Sequence, residues 1–360
     1  MKNILVTGGA GFIGSNLVSK LVADGYNVVV LDDLSTGNIN NLHDVRDSIE
    51  FLERDLSKVE ISFLAYTLKS RNIDTVFHLA ALARVQPSIK DPITFNNINV
   101  NGTLNLLFAC HKADIKRVVY SASSSAYGET KVLPTAETVP TNPLSPYGLQ
   151  KLIGEQYCKM FSEIYNLETV SLRYFNVYGE KMPSEGAYLT VISIFDGQLK
   201  AGIPLTITND GKQRRDFTYV GDIVEANILA ATNKNVGKGE VFNIGNGDNY
   251  SINEVADMMK GEKTYGEQRI EPFETLADNT KAKARLGWMP KGNLPKWLHE
   301  KYKGPILGTT SSNKKEVIKK KIKYLEKTLK ESNIGRIYDG YTIAGLKGEI
   351  KKLTTQLDER

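Results

Sequence analysis

The chain has 360 residues, 41% hydrophobic and 24% charged, enough to bury a large core in two structural units or one domain with an appendage. No apolar run reaches the length of a bilayer span, and two cysteines with four scattered histidines exclude a disulfide framework and a zinc cluster. The formal charge of +5 belongs to the tail: residues 311–360 carry 13 Lys/Arg against 7 Asp/Glu, leaving 33 against 34 in the rest, so the body offers no general nucleic-acid surface.

From Met1 the chain runs straight into a strand-like segment, 3–7, and a glycine turn, which leaves no room for a signal peptide. With so few cysteines, a reducing cytoplasmic location is expected. The turn, Gly8-Gly9-Ala10-Gly11-Phe12-Ile13-Gly14, opens a helix over 12–24. Glycines there allow a tight bend and let the backbone approach a pyrophosphate, which a helix N-terminus favours electrostatically. Asp32 closes a second strand, 27–31, eighteen residues after Gly14, where a carboxylate can accept both hydroxyls of a ribose. No arginine follows between Asp33 and Asn38 to hold a 2′-phosphate, so NAD is favoured over NADP.

Further strands are expected at 49–52, 75–79, 117–121 and 169–172, with helices between them at 94–112 and 146–165. This alternation predicts an α/β fold built on a doubly wound parallel sheet. His78, at the end of an apolar strand, reads as a hydrogen-bonded structural histidine. The serine run 121–125 follows the fifth strand at the edge where such sheets place reacting groups, and its hydroxyls could bond a sugar hydroxyl. In Ser145-Pro146-Tyr147-Gly148-Leu149-Gln150-Lys151, Ser145 caps a helix, Pro146 fits its first turn, and Tyr147 and Lys151 share one face. A nearby ammonium favours the phenolate; bringing a phenol from near pH 10 to neutrality asks for roughly 4 kcal/mol. Alone, such a pair is commonplace on a solvated helix.

Past Arg173 the alternation gives way to isolated helices, 188–200 and 252–260, with one strand, 241–244, returning to the sheet. Residues 1–175 are therefore expected to form an NAD-binding domain, completed near 217–245, and 176–310 a smaller mixed α/β substrate-binding domain interleaved with it. The remainder, 311–360, forms a C-terminal helical tail. Ile318, Ile322, Leu325 and Leu329, then Ile343, Leu346, Ile350, Leu353 and Leu357, make narrow apolar seams suited to an αα-hairpin, although Gly345 and Gly348 weaken the second helix.

Taken together, Thr7–Gly14, His78-Leu79-Ala80-Ala81, Asn99–Thr103, the serine run, Tyr147–Lys151, Arg173–Gly179, Arg214–Phe217 and Leu276-Ala277-Asp278 resemble the extended short-chain dehydrogenase/reductases, specifically their NAD-dependent nucleotide-sugar epimerases. The match covers roughly residues 1–300; nothing about the tail is inherited from it. The resemblance implies that Tyr147 is the base, that Lys151 binds the nicotinamide ribose and lowers the phenol, and that Ser123 holds the reacting 4-hydroxyl. Hydride leaves C4, the 4-keto sugar turns over, hydride returns to the opposite face, and NAD ends unchanged. Around the cofactor the resemblance places Gly8, Gly11, Phe12, Ile13, Gly14 and Asp32. It adds Asp55, Leu56, Leu79, Ala80, Ala81, Asn99 and Tyr174.

Around the substrate it places Arg84, Ser124, Ser125 and Asn176, the uracil-cradling segment 186–192 with Thr190 and Val191, and Arg215 and Arg269 on the diphosphate. Related 4,6-dehydratases carry Asp-Glu where this chain has Ser124-Ser125, and decarboxylases a glutamate at Ser125, so epimerisation fits better. A small residue at Thr275 leaves room for a 2-acetamido group, which motivates UDP-GlcNAc/UDP-GalNAc alongside UDP-glucose/UDP-galactose. A UDP-glucuronate epimerase, a net reductase or dehydratase, and a silent NAD sensor are the competing expectations. No metal, nucleic-acid or membrane partner is expected, a homodimer is the family's default, and the tail's partner stays open.

Overall fold

The computed structural model describes residues 1–183, 189–266, 268, 271–303, 314–333 and 343–358. The chain divides into two compact units, the first made of Met1–Lys181, Asp216–Asn249 and Thr275–Gly292, the second of Met182–Arg215, Tyr250–Glu274 and Asn293–Arg360.

In chain order the first stretch holds β1 (Asn3–Thr7), α1 (Phe12–Ala23), β2 (Asn27–Asp32), β3 (Ile49–Glu53), α2 (Ile61–Ser70) and β4 (Thr75–His78). It continues through α3 (Val85–Lys90), α4 (Pro92–Asn96), α5 (Gly102–Lys112), β5 (Arg117–Ser123), α6 (Pro146–Tyr165), β6 (Glu168–Tyr174) and β7 (Asn176–Tyr178). Then come α7 (Val191–Ala201), β8 (Leu205–Ile207), β9 (Arg214–Tyr219), α8 (Val220–Thr232) and β10 (Lys238–Ile244). The last are β11 (Asn249–Ser251), α9 (Ile252–Met258), β12 (Lys263–Tyr265), α10 (Thr280–Leu286), α11 (Leu294–Lys301), α12 (Lys314–Asn333) and α13 (Ile343–Asp358).

Seven strands form one parallel sheet in the order β10-β6-β5-β4-β1-β2-β3. Their apolar runs suit strands covered on both faces. Ile4, Val6, Val28 and Val30 pack with Leu17 and Leu21 of α1 and Ile223 of α8. The alternate residues Leu5, Val29 and Leu31 pack with Leu64 of α2, Leu106 of α5 and Phe161 of α6. The sheet is doubly wound: the chain moves outward from β1 through β2 and β3, then returns beside β1 with β4 and moves the other way. Ligand crevices in such sheets open at that switch, beyond the carboxyl ends of the central strands. β7 pairs in parallel with β9, Asn176 facing Phe217.

The segment expected as one helix over 94–112 is interrupted. α4 passes into a π-helical turn, Asn97–Asn101, before α5 resumes the α-helical path. The wider turn accompanies a buried Asn99 whose amide bonds Leu82 on both sides, accepting from its N–H (2.8 Å) and donating to its carbonyl (3.0 Å). Such turns recur at functional sites.

Within the second unit β8 pairs with β12. α12 and α13 pack through buried Leu325, Leu346 and Leu353, flanked by Ile318, Ile322, Leu329 and Ile350. Gly348 meets nothing that an added Cβ would touch, so its cost there is one of propensity alone, about 1 kcal/mol. Among the described residues no helix is long and apolar enough to cross a membrane, and no cluster of side chains could hold a metal ion.

Candidate active site

The turn between β1 and α1 is built for backbone contact. Gly8 has φ +69°, and a Cβ on it would lie 2.6 Å from the Ala80 nitrogen, while one on Gly14 would lie 2.1 Å from the Gly8 carbonyl. Gly11 caps α1 and has no side chain to bond the helix's first N–H groups. That end is thus prepared for an anion. Phe12, Ile13 and Gly14 form the first helical turn. At the end of β2, buried Asp32 accepts from the N–H groups of Ala10 (2.9 Å) and Leu34 (2.9 Å). Burial pushes its carboxyl up and these two bonds pull it back.

Beside this turn a buried relay joins β1, β4 and α5. Ala80 N–H donates to Thr7 Oγ1 (3.3 Å), which stands 2.8 Å from His78 Nδ1. His78 Nε2 stands 2.9 Å from Thr103 Oγ1, which donates to the Asn99 carbonyl at 2.6 Å. Since Thr103 spends its proton on Asn99, it accepts from Nε2–H, and Nδ1 accepts from Thr7: a neutral imidazole. Burial, followed by the nearby Lys151 charge, depresses its pKa to about 3. The structural reading of His78 fits this geometry.

At the end of β5, Ser123 Oγ accepts from the backbone (3.2 Å) and hydroxyl (2.8 Å) of Ser125. Ser145 caps α6 by accepting from Gly148 N–H (3.1 Å), with Pro146 at the first turn as its sequence dictates. An added Cβ on Gly148 would lie 2.7 Å from the Ser125 carbonyl, so this glycine lets α6 approach the serine turn. Tyr147 N–H donates to Ser88 Oγ (3.1 Å), anchoring α6 to α3. Burial raises the Tyr147 phenol, and its hydrogen bond with Ser123 pulls the other way.

One helical turn on, Lys151 is buried and donates to the Ser121 carbonyl at 2.7 Å. Its Nζ lies 5.1 Å from the Tyr120 ring centroid. Burial lowers its pKa to about 8, with the Glu155 charge pulling the other way. Beneath it, Glu155 receives two parallel bonds from Arg173 of β6, 2.9 and 2.7 Å long. The sequence reading passed over this pair; the signal was the Lys151-to-Glu155 spacing of one helical turn.

A model of the NAD dependent epimerase/dehydratase family matches residues 4–245. The chain belongs to that family. It is 42% identical over 300 residues to a putative UDP-glucose 4-epimerase of Methanocaldococcus jannaschii, covering 81% of this chain and 94% of that protein. Among solved structures it resembles the UDP-glucose 4-epimerase of Thermotoga maritima with UDP-glucose, at TM-score 0.78 and 38% identity over 82% of this chain and 96% of that one. It also resembles the UDP-N-acetylglucosamine 4-epimerase of Methanobrevibacter ruminantium M1 in complex with UDP-N-acetylmuramic acid (TM-score 0.78, 35% identity, 84% and 97% coverage).

NAD is the cofactor of this family, and the side-chain-free glycine turn, the uncapped α1 and the Asp32 carboxylate at the adjoining strand end fit it. The other family positions lie as follows. Asp55 turns onto its own loop, accepting from Ser57 N–H (2.8 Å) and Lys58 (2.8 Å), and Leu56 is buried behind it. Leu79, Ala80 and Ala81 follow β4 directly. Tyr174 ends β6 and donates to Asn227 (2.9 Å).

Arg84, just before α3, holds φ +133°, a left-handed conformation that costs free energy outside glycine. Ser124 and Ser125 form a short 3₁₀ turn, and Asn176 is exposed at the start of β7. Thr275 Oγ1 accepts from Asp216 N–H at 3.3 Å. In the second unit Thr190 caps α7, accepting from Ser193 N–H at 3.3 Å, and Val191 is the first helical residue. Arg215 is buried, bonding Glu271 (2.6 Å) and the Arg214 carbonyl (2.8 Å). Arg269 and residues 186–188 lie outside the described residues.

Proposed function

We propose that the chain is a UDP-sugar 4-epimerase acting on UDP-glucose/UDP-galactose and their 2-acetamido counterparts. The observation that carries this reading is the convergence of Ser123, Tyr147 and Lys151 at the carboxyl edge of β5, beside the glycine turn, in a member of an NAD-dependent family. The glycine turn and α1 would hold the pyrophosphate of NAD, Asp32 its adenosine ribose, and Lys151 its nicotinamide ribose. When bound, NAD supplies a hydride acceptor that can return the hydride to the same carbon.

Ser123 orients the sugar's 4-hydroxyl, and Tyr147 takes its proton as C4 is oxidised, then gives it back on reduction. The Lys151 ammonium favours the phenolate during the interval. Ser124 and Ser125 carry no carboxyl, so the site has no second acid there to expel a neighbouring hydroxyl, which supports epimerisation over dehydration. Arg215 and Arg269 would take the diphosphate, a task for forked donors. The exposed Ile93, Leu149 and Ile164 on α4 and α6 support a homodimer built on these helices.

The test incubates purified protein with UDP-glucose, UDP-GlcNAc and UDP-glucuronate separately, reading products by NMR. Appearance of the C4 epimer without added nicotinamide is expected for the first two. Release of free NADH, or turnover that depends on added NAD(P)H, would show a net oxidoreductase instead.

A further inference from the structure

The groups packed around Lys151 differ in whether they hold charge near neutral pH. His78 of β4 is neutral, its pKa pressed down to about 3 by burial. Tyr120 of β5 is buried and driven far above its ordinary range, and Ser121 presents a carbonyl. Cys158 of α6 and Cys110 of α5 are buried thiols that burial holds protonated. Tyr147 lies one turn before the lysine. Among the described residues this leaves Glu155, one turn after it, with its partner Arg173 of β6. Their side chains are 1% and 5% exposed.

Burial pushes the Glu155 carboxyl up, and the guanidinium pulls it back. Both carboxyl oxygens accept from Arg173, which is the pattern of an ionised carboxylate. The guanidinium is fixed in turn 4.5 Å from the Tyr127 ring centroid, and Tyr127 donates to Asn243 at 2.7 Å.

We propose that Glu155, locked by Arg173, is a positioning residue for the reaction: its fixed negative charge keeps the Lys151 ammonium charged while Tyr147 exchanges its proton. The inference rests on the epimerase reading, with Tyr147 as base. Burial brings Lys151 down to about 8 even with the Glu155 charge opposing it, so removing that carboxylate would favour loss of the proton further. A structural ion pair without this role would contribute to folding and leave the titration of the site alone.

The test compares the pH dependence of kcat, and the tyrosinate difference absorbance, in the NAD-bound wild-type protein and its Glu155→Gln variant, with Tyr147→Phe identifying the Tyr147 signal. The alkaline limb of kcat should move to lower pH by about one unit, and the Tyr147 phenolate should appear at higher pH. If Glu155→Gln does not fold with Arg173 left uncompensated, the Glu155→Gln/Arg173→Met double variant removes both charges and should move the limb in the same direction by less. An unmoved limb and phenolate titration in the folded variant overturn the proposal. Should Tyr147→Phe keep its turnover, the base assignment fails first and the proposal goes with it; an inactive Tyr147→Phe beside an unmoved Glu155→Gln sinks the Glu155 role alone.

Discussion

Burial favours the neutral form of both Tyr147 and Lys151, raising the phenol and depressing the ammonium. In the proposed reaction a pair so placed depends on the charges arranged around it, which is why single substitutions here should separate chemistry from folding. Tyr147→Phe should lower turnover by about 10²- to 10⁴-fold while the fold and the NAD released on denaturation stay as in the wild type. Near-wild-type turnover by NMR would refute the base assignment. His78 should be felt in stability. Below pH 6.5 the unfolded chain binds a proton there that the folded chain refuses down to about pH 3, so stability falls with pH by roughly 1.4 kcal/mol per unit. Buried Asp216, raised to about 6, works oppositely: its proton adds stability as pH falls from there toward 3.8. Denaturant unfolding at pH 7 and 5 should therefore show a smaller acid loss in His78→Gln, where Asp216 is unchanged. An equal loss would show that His78 is already charged in the folded state.

Among the elements, α6 carries the site, and it does so through small residues. Gly148→Ala puts a methyl 2.7 Å from the Ser125 backbone, so either the helix or the serine turn must shift. Displacement of about 1 Å would cost turnover about 10²-fold with folding retained. Unchanged kcat would mean that the turn yields freely. The central strands and α6 were legible in the sequence because buried parallel strands are short apolar runs, and because Ser145-Pro146 marks a helix start. The π-helical turn at Asn97–Asn101 was not, since one extra residue in a turn leaves the apolar spacing on either side readable as a single helix. Nor was the 3₁₀ run Ile39–Ser48, which has little apolar periodicity to betray it. Glu155 escaped because its meaning depends on Arg173, eighteen residues away and on a different element.

At the scale of the molecule, the α12–α13 pair stands outside the family match, which ends at residue 245. Truncation after Gly308 should leave turnover and oligomeric state unchanged by NMR and light scattering; loss of either would make the tail part of the working enzyme. The two units share the chain unevenly. It passes between them five times, at 181/182, 215/216, 249/250, 274/275 and 292/293. Each of the first two pieces of the second unit must be handed back to the first, so neither could be exchanged between relatives as a cassette without cutting the sheet-bearing unit as well. The third piece, from Asn293 onward, carries α11, α12 and α13. Within it the lysine-rich α12 and α13 add two helices without rerouting any strand of the seven-stranded sheet.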